Sequence, residues 1–281
     1  MSNKKIAAIV ITLIILIVSC VGITIFILMR NTNPPSNTAV LQTNKENQQT
    51  TKPEQTQSNQ LQWKLGENGY VAEGNPPACT EPIILTSPVN LSDATSILYP
   101  GQTRGGNYKP HGGVRFDNNT SNVQTVSIPA DAFLVAGTRF LAEGEIQYSF
   151  DFITPCGIIY RLGHLRELTD KFQFIVDKFP EATTDSRVTF VNPPVEVFKD
   201  EVLAIKIGII GTSNTFLDWG VYDLRKLNEA SKDPAYAASH DIQLAQHAVC
   251  WLDMLAPSDT VIVDSLPAGD PTSGKNSDYC K

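Results

Sequence analysis

Three stretches of this chain place histidine, arginine and carboxylate side chains where they could do chemistry: KPHGGVRFD at 109–117, GIIYRLGHLREL at 157–168 and TFLDWGVYDL at 215–224. In an extended strand side chains alternate, so His111, Gly113, Arg115 and Asp117 share one face. An imidazole and a carboxylate on one face are metal-donor types. Arg115 between them is not, because a guanidinium has no lone pair to give and keeps its charge. A shifted site drawn from His111, Asp117, His164 and Asp218 supplies nitrogen and oxygen donors but leaves Arg115 without a role. Asp117 also stands just before NNTS, where an aspartate serves a turn. His164 suits a packed, hydrogen-bonded core position equally well. His240 and His247, further along, read as structural or surface residues.

The elements that must position these residues are short strands. From Trp63 to about Leu224, runs such as VQTVSIPADAFLVAG, GEIQYSFDFI, GIIYRLGHL, RVTFV and EVLAIKIGIIG are β-branched, alternating or briefly continuous in apolar residues, with Gly, Pro, Asn and Asp between them. One helix is expected among them, at LTDKFQFIVDKF. The pattern predicts a mainly β domain over 61–228, an all-β sandwich or barrel-like sheet. After it, Ile242, Ala245, Val249 and Leu252 fall at helical steps, with Asp233 and Pro234 as a helix start. Residues 229–281 are therefore expected to be a helical appendix with a loop tail.

Upstream, Ile6 to Met29 is a run of 24 mostly apolar residues without a charge, long enough to span a hydrocarbon core about 30 Å thick. Lys4 and Lys5 precede it, so residues 1–5 are expected in the cytoplasm, 6–29 as a transmembrane helix, and the rest outside. IVSC, ending at Cys20, has the form of a lipoprotein box, but the apolar run continues beyond it. Residues 30–60 are rich in Asn, Gln, Thr, Ser and Pro and read as a disordered stalk. A net charge of −7 argues against nucleic acid as a partner. Cys79, Cys156, Cys250 and Cys280 form an even set on the expected oxidising side. Four cysteines allow three pairings. We favour Cys250–Cys280, which pins the tail, with Cys79–Cys156; four buried thiols are the alternative.

The order HGGVR, IPADAFLVAG, RLGHLREL, VFKDEVLAIKIGIIGTS and FLDWGVYD over about 95–224 resembles the lysostaphin- and LytM-like M23 family of cell-wall metallo-endopeptidases. The resemblance implies a LytM-like antiparallel sheet, the duplicated hybrid motif. It also implies zinc held at the positions of His111, Arg115 and Asp218, with assisting histidines at those of His164 and Phe216. Two of the three ligand positions are altered, and Phe216 cannot hydrogen-bond through its side chain. The resemblance therefore implies a degenerate domain, with His164 a vestige of the catalytic set and His111, Arg115, Asp117 and Asp218 lining a binding groove. No cofactor is expected on this reading, and Arg115 is expected to pair with Asp218 in place of the metal. The implied role is a membrane-anchored envelope protein that binds cell-wall peptide or a protein partner, or regulates a cell-wall hydrolase. Two alternatives stand beside it: an active hydrolase with zinc re-ligated through His111 and Asp218, and a structural or adhesion β domain.

Overall fold

The computed structural model describes residues 61–281, apart from 68, 213 and 241–243. The expected membrane span, the stalk and Cys20 lie outside the described residues. Among the described residues no helix is long and apolar enough to cross a membrane.

The chain is mainly β, as its alternating runs require. Strands β1 (Trp63–Gly66) and β2 (Gly69–Ala72) form a hairpin, followed by β3 (Ser96–Leu98), β4 (Gln102–Arg104), β5 (Asn107–Lys109), β6 (Gly112–Arg115) and β7 (Val123–Ser127). Three long strands come next, β8 (Ala132–Ala142), β9 (Glu145–Ile153) and β10 (Ile158–Leu165), then β11 (Thr189–Val197), β12 (Val202–Lys206) and β13 (Phe216–Asp223). Seven of them form one antiparallel sheet in the order β11-β8-β9-β10-β13-β6-β3, while β7 pairs with β12 and β4 with β5. The expected helix is present as α1 (Asp170–Val176).

The inner face of the sheet carries Leu134, Phe150, Phe152, Tyr160, Leu162, Leu217 and Trp219, all fully buried. Against it pack α1 through Phe172 and Val176, the β7–β12 pair through Val126 and Leu203, and the C-terminal segment through Trp251, whose ring stacks on Trp219 at 4.3 Å. The outer face takes the opposite alternation and carries the polar residues considered below.

The C-terminal region departs from the expected appendix helix. It contains α2 (Pro234–Ser239), a 3-10 turn at Trp251–Met254 and α3 (Pro257–Ser265). Asp233 does cap α2, accepting from the Ala235 N–H. Ala245 to Val249 is not helical because the sheet takes its backbone groups. The Asp223 N–H donates to the His247 carbonyl, the Val249 N–H donates to Val221, and the Asn228 amide donates to the Ala245 and Ala248 carbonyls. Ile242 lies outside the described residues. Both favoured disulfides, Cys79–Cys156 and Cys250–Cys280, are formed.

Candidate functional site

On the outer face, β10, β13 and β6 run side by side with Gly163 opposite Asp218 and Asp218 opposite Gly113. His111 lies one two-residue step before Gly113 on that face. Gly220 makes room for it, since a Cβ there would fall 2.9 Å from that of His111. Strict alternation would turn His164 into the core, beside Leu162. A β-bulge between Leu162 and Leu165 prevents this: His164 takes φ 58° and its imidazole swings to the outer face. The Gly208 N–H holds its carbonyl at 2.8 Å.

His111, His164 and Asp218 therefore converge, as three distant stretches of sequence suggested. Asp218 Oδ2 lies 3.2 Å from His111 Nε2 and 3.4 Å from His164 Nε2, with side chains 16, 21 and 19 % exposed for His111, His164 and Asp218. Burial pushes the Asp218 carboxyl up, but the two imidazoles outweigh this and hold it well below the usual carboxylate range. Burial pulls His164 below its usual value, and Asp218 opposes this only in part.

Gln147 fixes which nitrogen of His164 carries the proton. Its amide Nε2 donates to the Gly208 carbonyl at 2.9 Å, so Oε1 faces His164 Nδ1 at 2.5 Å and must accept from it. Neutral His164 then turns the Nε2 lone pair towards a carboxylate oxygen. The ring of Phe216 lies 4.2 Å from that of His164. His111 Nδ1 is buried without a partner among the described residues.

Arg115 does not pair with Asp218. Its Nη2 donates to Asp117 Oδ1 at 2.5 Å and its Nε to the same oxygen at 3.1 Å. The reason is register: Arg115 stands opposite Phe216, one step beyond the Gly113–Asp218 pair. Asp117 is held beside it, its N–H donating to Thr95 Oγ1 at 3.0 Å. The guanidinium near Asp218 is instead Arg104, which donates to the Tyr99 and His111 carbonyls. Arg161, opposite Gly220, forks onto Asp151 at 2.6 and 2.7 Å.

Motif reading gave no weight to Gln147, Arg104 or the Arg161–Asp151 pair. A signal existed for part of this, because Gln147, Ser149 and Asp151 are the polar beats of an alternating strand. Of the other histidines, His247 Nδ1 lies 2.8 Å from the Lys226 carbonyl, and His240 stacks on the ring of Tyr236 and meets that of Tyr108 edge-on, each at 4.0 Å.

The zinc that the resemblance implies does not fit its three expected positions. The Arg115 position offers a guanidinium committed to Asp117. Among the described residues no group of three or more His, Cys, Asp or Glu is arranged to hold a metal ion. No protein family, curated protein or solved structure matches the chain.

Proposed function

We propose that this is a membrane-anchored envelope protein whose M23-like β domain binds cell-wall peptide without hydrolysing it. One observation carries the non-catalytic part. Asp218 is flanked by two imidazoles, and the remaining ring nitrogens are bonded to Gln147 or buried. His164 Nε2 keeps a lone pair but aims it at Asp218, and the position where the resemblance implies a second zinc ligand holds Arg115, committed to Asp117, so the metal-dependent set is not assembled around it. Around this cluster stand Arg104 and the half-buried Lys109, close enough to Asp218 and His164 to influence their charges. Lys109 makes no ion pair among the described residues, which suits the carboxylate of an extended peptide. The two disulfides are consistent with an extracytoplasmic site.

A second reading, a hydrolase with zinc re-ligated through His111 and Asp218, has one observation in its favour. With the tautomer that Gln147 sets, two acceptors face each other at 3.4 Å, and a cation between them would relieve the repulsion. Metal analysis of chelator-free protein, together with sedimentation on isolated peptidoglycan, tests both. The binding reading expects cosedimentation that Asp218→Ala weakens, no stoichiometric zinc and no released peptide. One equivalent of tightly held zinc with chelator-sensitive cleavage would overturn it in favour of the hydrolase. Failure to sediment with the wall would remove the binding function.

A further inference from the structure

The triplet Asn-x-Ser/Thr, with x other than proline, is the acceptor sequence for an N-linked glycan. It occurs at Asn90, followed by Leu91 and Ser92; at Asn118, followed by Asn119 and Thr120; and at Asn119, followed by Thr120 and Ser121. The fold separates these three by what their carboxamides already do. A transferase must draw the acceptor side chain into its own site. The carboxamide must therefore be exposed and free of bonds to the fold.

Asn90 is committed. Its Oδ1 accepts from the Ser92 N–H at 3.2 Å and from the Ser92 hydroxyl at 2.8 Å, and its Nδ2 donates to Asp93 at 3.1 Å. It caps the 3-10 turn Leu91–Asp93, and the cap also consumes the hydroxyl of its own triplet. Asn119 is committed as well. Its Nδ2 donates to the Val123 carbonyl at 2.8 Å, and its Oδ1 accepts from the N–H and hydroxyl of Ser121 at 3.1 and 2.9 Å.

Asn118 is different. It is exposed in the turn between β6 and β7, as is Thr120, and neither side chain makes a hydrogen bond among the described residues. The turn is held by its neighbours instead. The Asn119 N–H donates to the Phe116 carbonyl, the Thr215 hydroxyl donates to the Asn119 carbonyl at 2.6 Å, and the buried Asn122 amide donates to the Ile207 carbonyl at 2.8 Å. A free carboxamide thus projects from a fixed base, with a free hydroxyl two residues on.

We propose that Asn118 carries an N-linked oligosaccharide. The donor is an oligosaccharide joined to a polyprenyl pyrophosphate on the outer side of the membrane. Asn118 Nδ2 forms a bond to the anomeric carbon as the bond from that carbon to the pyrophosphate oxygen breaks. The electron pair leaves with the lipid pyrophosphate, one amide proton passes to base, and nothing is oxidised or reduced. The proposal rests on the extracytoplasmic placement in the reading above and is independent of what the His–Asp cluster binds.

The test uses the full chain isolated from the membranes of the cells that make it natively. Trypsin cuts after Arg115 and Arg139, so the peptide Phe116–Arg139 holds both Asn118 and Asn119, and fragmentation that retains the glycan assigns the asparagine by mass. Most of this peptide is expected to be heavier by an oligosaccharide at Asn118, with Asn90 bare. Asn118→Gln and Thr120→Ala should abolish the modification, while Thr120→Ser, Asn119→Gln and Ser121→Ala should keep it. Once the glycan is removed enzymatically, the unaltered chain and Asn118→Gln should melt at the same temperature, so that loss of the glycan is not loss of the fold. A bare Asn118 in a chain whose domain external protease removes from spheroplasts overturns the proposal and leaves the topology standing. A domain protected from that protease overturns both. An oligosaccharide on Asn90 or Asn119 in place of Asn118 also overturns the proposal.

Discussion

Arg115 shows how far residue types alone carry an argument. The sequence placed His111, His164 and Asp218 in one site because each sits in a recognisable strand, and those three do meet. It could not show that Arg115 turns to Asp117, because that depends on one step of cross-strand register. The Arg115–Asp117 pair is partly exposed, at 25 and 37 %, so a double-mutant cycle should give about 0.5–1 kcal/mol of coupling in urea unfolding. A cycle between Arg115 and Asp218 should give less than about 0.5 kcal/mol; a larger value there would contradict the register. The cluster also predicts a pH dependence. His164 is lowered from 6.5 and Asp218 from 3.8. The unfolded chain therefore takes up a proton at His164 before the folded chain does, and stability falls as pH drops below about 6.5. Asp218 adds a second loss that begins only below about 4, as the unfolded chain's carboxylate protonates first. The melting temperature of His164→Gln should change less between pH 7.5 and 5 than that of the unaltered protein. Equal slopes would show that His164 is not held neutral.

At the scale of elements, periodicity found the strands and α1, because alternating residues there face a core on one side only. It failed at two places where tertiary contacts override the local pattern. One is the bulge at His164, which no alternation rule predicts. The other is Ala245–Val249, whose helical spacing yields to the carbonyls and N–H groups of β13 and to Asn228. The tail is a different case: the even cysteine count left three pairings open, and the favoured one is formed. The Cys250–Cys280 bond closes a separation of 30 residues, worth about 3–4 kcal/mol in the chain-entropy model. The tail also holds itself through Tyr279, whose hydroxyl lies 2.6 Å from that of Tyr236 and 2.9 Å from that of Tyr108. Cys280→Ser should therefore lower the unfolding free energy by up to about 3–4 kcal/mol and make residues beyond Gly269 the first proteolytic site. Unchanged denaturation and unchanged cleavage would mean that the tyrosine contacts alone secure the tail.

At the scale of the whole molecule, the two disulfides are consistent with folding in an oxidising compartment. Two apolar clusters, the larger between the seven-stranded sheet and its covering layer and a smaller one around Trp63 and Phe133, are accompanied by two covalent ties, one spanning 77 residues and one spanning 30. Such ties persist where thiols are not kept reduced. Only the sequence speaks to the other end of the chain: lysines, then 24 mostly apolar residues, then a polar, proline-containing stretch leading to Leu61. Together these predict one span at 6–29 with everything after it outside the cytoplasm. Protease added to intact spheroplasts should remove the folded domain and leave a short membrane-bound fragment. Cys79, Cys156, Cys250 and Cys280 should resist alkylation until a reductant is added. The two readouts are independent, since the first depends on which side the domain lies and the second on the redox state in which it folded. Full protection from protease would place the domain inside. Free alkylation of the four cysteines before reduction would show that the ties are absent in the cell, and with them the reason to assign an envelope location.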